Sequence, residues 1–405
     1  MGVRGLDSSR AWVKRAAEMR ILALRANGFV LPFIHASLVK AFQSLDIEVL
    51  DIPVPNSLDD LRSFLKTARK GFQAIFTLDL GANPSFIKNI IDFQLSLRIP
   101  WMVWFVDDPN GYGFPEVCEP GWTIPFCWDR EIVQEDFSWS GMPVVHLPLA
   151  ADPAIFFPEE IDSSSLYPGG VFVGSTAHPN EILDRVARTT PEFREDAAAI
   201  WETYRKDFRQ SLQRLAWARL AQRANQPIDS IRLDSLCRLG VQACVYEVGI
   251  RKRREVVTRV LRPGGGVFGD EGWGNVVDEG LYRGWIAYGG ALRKVYNGST
   301  FILDVRQPQT RTGLSQRIFD ASACGVPVLA EWSPEFEILF DPEDEPLGFY
   351  TPDGAMERRE LCMRDPKAAR KRAEKSRQRV LACHTYRNRA VRILRALQQF
   401  KGSPS

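Results

Sequence analysis

The chain has 405 residues, of which 45% are hydrophobic and 25% charged, and its formal net charge is +2. This length suits two domains, and the composition is that of a globular protein rather than a disordered or fibrous one. A nearly balanced charge argues against a dedicated nucleic-acid-binding protein, which usually carries a strong basic excess. The first twenty or so residues have no apolar core, no run reaches the ~18 apolar residues of a membrane helix, and the cysteines form no CxxC pair. The sequence therefore predicts a cytoplasmic chain with reduced thiols and no integral membrane segment.

In the first part of the chain, apolar strands alternate with amphipathic helices. The predicted strands are MRILALR (19–25), IEVLDI (47–52), AIFTLD (74–79) and PWMVWFVDDP (100–109), and TIPFCWD and PVVHLPLA continue the pattern. The predicted helices are FIHASLVKAFQSL (33–45), SLDDLRSFLKTARK (57–70) and FIKNIIDFQLSLR (86–98). Such alternation is typical of βαβ units and predicts a parallel, doubly wound sheet.

A segment rich in Pro, Ser and Gly, DPAIFFPEEIDSSSLYPGG, separates this part from a second α/β pattern. The strand GGVFVGS (169–175) is followed by a helical stretch from about 180 to 260 and by short strands predicted in VFGD, WIAYGG and STFILDV. We predict two Rossmann-like domains with a ligand crevice between them and a helical insertion in the second. Their predicted ranges are 1–160 and 168–380, followed by a C-terminal helix over 381–405 that packs back towards the first domain. The final segment is strongly basic, which leaves open a peripheral contact with an anionic membrane surface.

Carboxylates follow two strands of the first domain. Asp79 follows AIFTL, and Asp107 and Asp108 follow WMVWFV. The carboxyl ends of parallel strands face the ligand crevice, so these side chains are candidates for binding or catalysis, and His35 begins a helix at the same sheet edge. Each aspartate could equally cap the turn after its strand. The adjacent pair of aspartates also leaves a metal-dependent reaction open, although the four histidines show no metal-ligand spacing.

Gly264, Gly266 and Gly269 match a GxGxxG pattern. A dinucleotide fingerprint follows a strand and opens a helix, whereas this pattern follows a predicted helix and precedes a strand. We therefore interpret it as a helix end and a turn that enters a strand. This interpretation disfavours an oxidoreductase that binds a nicotinamide cofactor.

The strongest signal is the segment GLSQRIFDASACGVPVLAEW (313–332) and the polar loop before it. The loop follows the strand STFILDV and carries Arg306 and Arg311, and a helix is predicted to begin near Leu314 or Ser315. The N–H groups of a first helical turn and the positive end of the helix dipole bind anions, and the arginines would add charge. The sequence predicts an anion site at this helix start.

Two further features fit a phosphorylated ligand. Asp320 lies about two turns into the predicted helix, where it could bind a ribose diol or, on a solvated face, pair with Arg317. The apolar and small residues around it favour a buried helix and hence a ligand. Gly174 and Ser175, at the end of the strand 169–175, would let the backbone approach a phosphate closely.

These segments resemble a known family. VFVGS, WIAYGGALRKVYNGSTFILDV and GLSQRIFDASACGVPVLAEWSPEFEILF are similar to the C-terminal half of the CgeB-like (spore maturation protein) glycosyltransferases, within the group-1 glycosyltransferases. WFVDDP, the run from FCWDREIV to VVHLPLAADPAIFFP, and HTYRNRAVRIL resemble the N-terminal half and the closing helix of that family. The resemblance implies the GT-B fold, which is an α/β fold of two Rossmann-like domains facing across a cleft. It also implies a hexosyltransferase-type enzyme that moves a sugar from a nucleotide-diphosphate donor to a protein or polysaccharide acceptor.

The resemblance further implies roles for individual residues. Acceptor contacts and catalysis would fall to His35, Asp79, Asp107 and Asp108. Donor binding would fall to Gly174, Ser175, Tyr288, Gly289, Arg311, Gly313, Leu314, Ser315, Gln316, Arg317 and Asp320. A helix start can stabilise the departing diphosphate by itself, so we expect no metal and no cofactor beyond the donor substrate. The family more often has glutamate at position 320, and this aspartate, with no clear base, motivates the alternative of a catalytically inert nucleotide-sugar-binding or scaffold protein.

Overall fold

The computed structural model describes residues 19–53, 59, 71–79, 91, 99–109, 121–135, 143–176, 181–189, 192–232 and 234–401. The chain divides into two compact units, one formed by Met1–Asp152 with Cys383–Ser405 and the other by Pro153–Ala382. The helices predicted over 57–70 and 86–98 lie outside the described residues apart from one position in each.

The first unit contains a parallel sheet with the strand order β2-β1-β3-β4-β5-β6. Its strands are β1 (Arg20–Leu24), β2 (Glu48–Ile52), β3 (Ala74–Leu78), β4 (Trp101–Phe105), β5 (Thr123–Cys127) and β6 (Val145–His146). Every residue of β3, β4 and β5 is buried. Continuous apolar strands of this kind are typical of a parallel sheet covered on both faces, and they confirm the predicted doubly wound pattern.

Helices of the first unit are α1 (Leu31–Gln43), α2 (Arg130–Glu135) and α13 (Tyr386–Lys401). Helix α1 has a proline in its first turn, where the missing N–H costs nothing, and it packs against α13. The buried Arg389 of α13 anchors that helix, because its guanidinium donates to the carbonyl oxygens of Pro148 and Leu149 at 2.6 Å each. The chain end thus becomes part of the first unit.

The second unit contains a second parallel sheet, with the order β11-β10-β9-β7-β8. Its strands are β7 (Val171–Val173), β8 (Gly266–Phe268), β9 (Ile302–Asp304), β10 (Val328–Glu331) and β11 (Leu347–Phe349). Its helices outside the insertion are α8 (Gly290–Asn297), α9 (Gln316–Ala323), α10 (Phe336–Leu339), α11 (Pro352–Arg364) and α12 (Pro366–Cys383). The two parallel α/β sheets confirm the predicted fold class.

A helical insertion separates β7 from β8, as predicted. It contains α3 (Glu181–Thr189), α4 (Phe193–Tyr204), α5 (Leu212–Ala224), α6 (Ile228–Ile231) and α7 (Ser235–Val260). Helix α7 begins after Asp234, whose side chain accepts a hydrogen bond from the N–H of Cys237 at 2.8 Å. It packs along α4 and α5 and shares one core with β7 and β9, so the insertion belongs to the second unit.

Two sequence predictions of secondary structure are wrong. WIAYGG (285–290) forms no strand: after a single bridge between Tyr282 and β8, the chain runs irregularly to a turn at Tyr288 and Gly289, and α8 begins at Gly290. The basic final segment is two helices rather than one, and the break falls at His384 and Thr385. The GxGxxG segment, by contrast, is the predicted helix end, turn and strand entry, since α7 ends at Val260 and β8 begins at Gly266.

Two predicted properties concern the chain as a whole. Within the described ranges, no helix is both long enough and apolar enough to cross a membrane. The cysteines in the same ranges form no disulfide bonds.

The basic final segment, which could contact an anionic surface, has some of its charges paired within the protein. In α12, Arg379 contacts Asp344 at 2.8 Å and Lys375 contacts Glu343, all within the second unit.

Candidate functional site

A buried carboxylate organises the carboxyl ends of β7 and β9. Asp304, the last residue of β9, has an exposed fraction of 0%. Its Oδ1 accepts hydrogen bonds from Arg317 Nε at 2.8 Å and from the hydroxyl of Ser315. Its Oδ2 is buried and has no hydrogen-bond partner among the residues that the structure describes. Asp304 therefore links the strand end to the start of α9.

The guanidinium of Arg317 joins two strand ends. Its Nη1 donates to the carbonyl oxygen of Val173 at 2.6 Å, and its Nη2 donates to that of Val305 at 3.1 Å. A Cβ atom at Gly174 would lie 2.9 Å from Arg317 Nη1, which is closer than side chains normally allow. The glycine predicted to admit a phosphate is thus also required by the packing of this arginine.

A second arginine, which is fully buried, reaches the same strand ends from the insertion. Arg253 of α7 has an exposed fraction of 0% and donates to the carbonyl oxygens of Ser175 at 2.5 Å, Val305 at 3.1 Å and Arg306 at 3.3 Å. Burial, with the nearby positive charge of Arg317, lowers the pKa of Arg253 to about 9. The side chain remains a cation at neutral pH.

Helix α9 starts beside these residues. It begins at Gln316 after the N-cap residue Ser315, one residue beyond the predicted start. The Ser315 side chain makes no capping bond, because its hydroxyl donates to Asp304 instead. The first-turn amides are therefore not occupied by their own N-cap side chain, which is the arrangement that anion-binding helix starts require. Gly313 and Leu314 lead into this turn and are buried.

Asp320 lies on the buried side of α9, with an exposed fraction of 1%. Its Oδ2 accepts a hydrogen bond from the hydroxyl of Tyr288 at 2.7 Å, and its Oδ1 accepts one from Gln316 Nε2 at 2.8 Å. The ring of Tyr288 packs edge-on against Phe156 at 5.2 Å. The helix is buried as predicted, and the alternative in which Asp320 pairs with Arg317 on a solvated face is wrong.

The loop after β7 is held by a second aspartate. Asp270 accepts hydrogen bonds from the backbone N–H and the hydroxyl of Thr176, at 2.6 and 2.7 Å. The indole of Trp273 donates to the Gly174 carbonyl oxygen at 2.8 Å. A Cβ atom at Gly269 would lie 2.2 Å from that same oxygen, so the last glycine of the GxGxxG pattern is needed for close backbone packing. Contacts on both sides of Ser175, at Gly174 and Thr176, therefore fix the described part of this loop.

The polar loop before α9 is anchored by a buried ion cluster. Glu331, at the end of β10, binds Arg306 Nη2 at 2.7 Å and Lys252 Nζ at 2.9 Å. Burial opposes ionisation of Glu331, but the two cations outweigh it and lower its pKa to about 2. Arg306 also donates to the Arg311 carbonyl oxygen. The Arg306 side chain is therefore buried in an ion cluster, and it is not exposed on the loop, where it was expected to add charge to an anion site.

The first unit brings its predicted carboxylates together at the carboxyl ends of β3 and β4. Asp79 Oδ1 accepts hydrogen bonds from the N–H groups of Val106 at 2.9 Å and Asp107 at 3.4 Å. Burial raises the pKa of Asp79 to about 8. The hydrogen bond from the Val106 N–H lowers the pKa and offsets part of this shift, whereas the nearby charge of Asp107 adds to it. Asp107 in turn accepts from the N–H of Asp108 at 2.9 Å. Asp79 thus accepts hydrogen bonds from the backbone that follows the neighbouring strand.

His35 has a different partner from the one expected. The buried ring lies on α1, and its Nε2 is 2.9 Å from Oδ1 of Asp51 in β2. Asp51 also accepts from Arg25 Nε at 3.1 Å. His35 is thus held by the strand on the far side of β1 from β3.

Among the residues that organise these sites, three charged ones are examples that were not singled out from the sequence. They are Asp51, Arg253 and Asp304. Asp304 ends the strand STFILDV, so the same strand-end rule that selected Asp79 would have selected it. Arg253 gave no such signal, because it lies inside a basic helical run. Among the described residues, no group of three or more His, Cys, Asp or Glu side chains is arranged to hold a metal ion.

Part of the chain that carries this site matches a known protein family. Residues 251–395 match a protein family described as glycosyl transferase-like. The matched range includes Arg253, Asp304 and the whole of α9. Comparison with curated proteins gives no match.

Solved structures with a similar fold include glycosyltransferases and a sucrose-phosphate synthase. The sucrose-phosphate synthase of Thermosynechococcus elongatus is 12% identical with a TM-score of 0.51, over 95% of this chain and 100% of that chain. A glycosyltransferase from Rickettsia africae is 9% identical with a TM-score of 0.50, over 95% and 99%. Anabaena HepE in complex with UDP-glucose is 12% identical with a TM-score of 0.48, over 94% and 100%. At these identities the similarity is one of fold. The chain has a GT-B-like fold, and its residues 251–395 match a glycosyl transferase-like family.

Proposed function

We propose that the protein transfers a sugar from a nucleotide-diphosphate donor to a hydroxyl of a protein or polysaccharide acceptor. The observation that carries this proposal is the start of α9 at the carboxyl ends of β7 and β9, inside the segment that matches the glycosyl transferase-like family. The closer assignment to CgeB-like enzymes rests on the sequence motifs described above.

In this proposal the donor binds to the second unit. The diphosphate lies against the first turn of α9 and the loop of Gly174 and Ser175, where backbone N–H groups and the helix dipole favour negative charge. Asp320 and Tyr288, already joined by a 2.7 Å hydrogen bond, face the ribose. To bind the diol, Asp320 would exchange at least one of its two protein hydrogen bonds for a ribose hydroxyl.

Catalysis then follows from charge development. The bond between the anomeric carbon and the diphosphate oxygen breaks, the acceptor hydroxyl oxygen bonds to that carbon, and its proton passes to a base. Negative charge grows on the diphosphate, and preorganised amides at a helix start stabilise it without a metal ion. Asp79, Asp107, Asp108 and His35 are the proposed acceptor-side residues of the first unit. A buried Asp79 with a pKa of about 8 is a proton acceptor only when the pH reaches that range.

A panel of donors tests the proposal. Thermal unfolding is followed with UDP-, GDP-, dTDP- and CMP-linked sugars, because a ligand of the folded state raises the melting temperature by mass action. We expect stabilisation by one of the diphosphate donors and weaker stabilisation by a CMP-sugar, which has a single phosphate. If no donor stabilises the protein at millimolar concentration, the proposal is wrong.

A second candidate function is nucleotide-sugar binding without transfer. The observation that favours it is the full engagement of Asp320 by protein groups, with an exposed fraction of 1%. Release of nucleoside diphosphate from the stabilising donor, with and without a mixture of peptide and glycan acceptors, distinguishes the two. Turnover supports the transferase, and tight binding without turnover on any acceptor supports the binding protein.

A further inference from the structure

The guanidinium groups of the buried Arg253 and the partly buried Arg317 lie next to each other at the strand ends beneath the proposed diphosphate site. Arg253 and Arg317 both donate to the Val305 carbonyl oxygen at 3.1 Å. Both also contact the ring of Phe172, with distances to its centroid of 5.6 and 5.3 Å. One arginine comes from the insertion and the other from α9, so two distant parts of the chain deliver positive charge to the same strand ends.

Only one of these two arginines is hydrogen-bonded to a carboxylate. Asp304 is hydrogen-bonded to Arg317, whereas every hydrogen bond that the structure gives Arg253 goes to a backbone carbonyl oxygen. Asp270 and Glu331 act on Arg253 only at longer range. A buried charge without a hydrogen-bonded counter-ion is costly unless something else compensates it.

A second cluster of charged side chains lies close to this one. Glu331 binds Lys252 and Arg306 there, at the carboxyl edge of the sheet that carries the proposed donor site. Two further carboxylates near this edge, Asp320 and Glu335, are also buried. Because every hydrogen bond of Arg253 goes to a backbone oxygen, its charge can still attract an anionic ligand at this edge.

We propose that Arg253 and Asp304 are positioning residues that set the electrostatic strength of the diphosphate site without touching the donor. Arg253 supplies a buried positive charge below the loop of Ser175, and Asp304 partly neutralises it while it orients Arg317. This inference rests on the proposed function, because it assumes that a diphosphate binds at the start of α9. It adds Arg253 and Asp304 to the site. Loss of the Arg253 charge should weaken diphosphate binding, and loss of the Asp304 charge should strengthen it.

The test uses two substitutions in the full chain and ligands that differ only in phosphate charge. Dissociation constants are measured by calorimetry for uridine, UMP and UDP, with the GDP and dTDP series in parallel. Arg253→Met should weaken diphosphate binding by about five- to thirtyfold, the effect of one unit charge ~8 Å away in an effective dielectric of about 20–40. Asp304→Asn, which keeps the size of the side chain, should tighten diphosphate binding. Neither change should alter binding of the uncharged nucleoside.

Controls separate charge from structure. Arg251→Met removes a cation two residues earlier on α7, where it pairs with Glu247 at 2.9 Å, and it should leave all three ligands unaffected. A merely structural role predicts that Asp304→Asn weakens nucleoside and diphosphate alike, and that result would overturn the inference. If Arg253→Met fails to fold, the affinities of Asp304→Asn for the diphosphate and the nucleoside still test the inference. If the unaltered protein binds no nucleoside diphosphate, the proposed function itself is wrong; if it binds one and neither variant changes the charge preference, only the further inference is wrong.

Discussion

Replacing Asp79 with asparagine should make the protein more stable, and increasingly so as the pH rises. Asp79 has an exposed fraction of 4%, and burial raises its pKa from 3.8 to about 8. Asparagine keeps the oxygen that accepts the Val106 N–H and removes the charge that burial disfavours. It also tolerates the left-handed backbone at this position, where φ is +48°.

The size of the effect follows from proton linkage. Between the two pKa values the unfolded chain has lost the Asp79 proton and the folded chain still holds it, so raising the pH favours unfolding. Each pH unit in this window lowers the unfolding free energy of the unaltered protein by about 1.4 kcal/mol relative to Asp79→Asn. The difference should be near zero at about pH 4 and reach about 6 kcal/mol above pH 8.

Urea unfolding of both proteins at pH 5, 7 and 9 measures this difference. Asp46→Asn is the matched control, because Asp46 also has a left-handed backbone, with φ of +60°, but is exposed. That control should give no pH-dependent gain. A stability difference for Asp79→Asn that stays constant from pH 5 to 9, or falls, would refute the assignment of a raised pKa to burial.

Three further substitutions test the second unit. Asp320→Ala should weaken binding of the stabilising nucleotide sugar roughly 10- to 100-fold, as loss of a charged hydrogen-bond acceptor does, and unchanged affinity in calorimetry would remove Asp320 from the site. Gly174→Ala places a Cβ atom 2.9 Å from Arg317 Nη1; it should lower the unfolding free energy by about 1–3 kcal/mol, and a melting temperature equal to that of the unaltered protein would contradict this. Glu331→Gln leaves Lys252 and Arg306 without their carboxylate and should cost about 3–5 kcal/mol in urea unfolding, whereas a cost near zero would mean that water already compensates these cations.

Hydrophobic patterning determined much of the fold. The alternation of continuous apolar strands with amphipathic helices was enough to predict two parallel α/β sheets and the helical insertion. The signal is strong because strands buried on both faces need apolar residues at every position. The prediction of a strand fails at WIAYGG, where three apolar residues are followed by a tyrosine and two glycines. A short apolar run of this kind does not distinguish a strand from an irregular segment that packs against the sheet.

The start of α9 was also predictable from local sequence. A strand, a polar loop, Ser315 and a helix follow one another within about twenty residues, and a helix start binds anions wherever it occurs. The burial of Asp320 was also predictable, because its neighbours along the helix are apolar or small.

What only the tertiary structure decided is how the charged residues are paired. Arg317 pairs with Asp304 rather than Asp320, Arg306 pairs with Glu331, and His35 pairs with Asp51. Each partner lies on a different strand or beyond a loop, so no helical or strand period connects the two residues. Ion pairs of this kind depend on which strand ends become neighbours in the sheet, and that order is set by packing over the whole unit. The residue types needed for an anion site are therefore visible in the sequence, but the side chains that orient them become visible only in the folded chain.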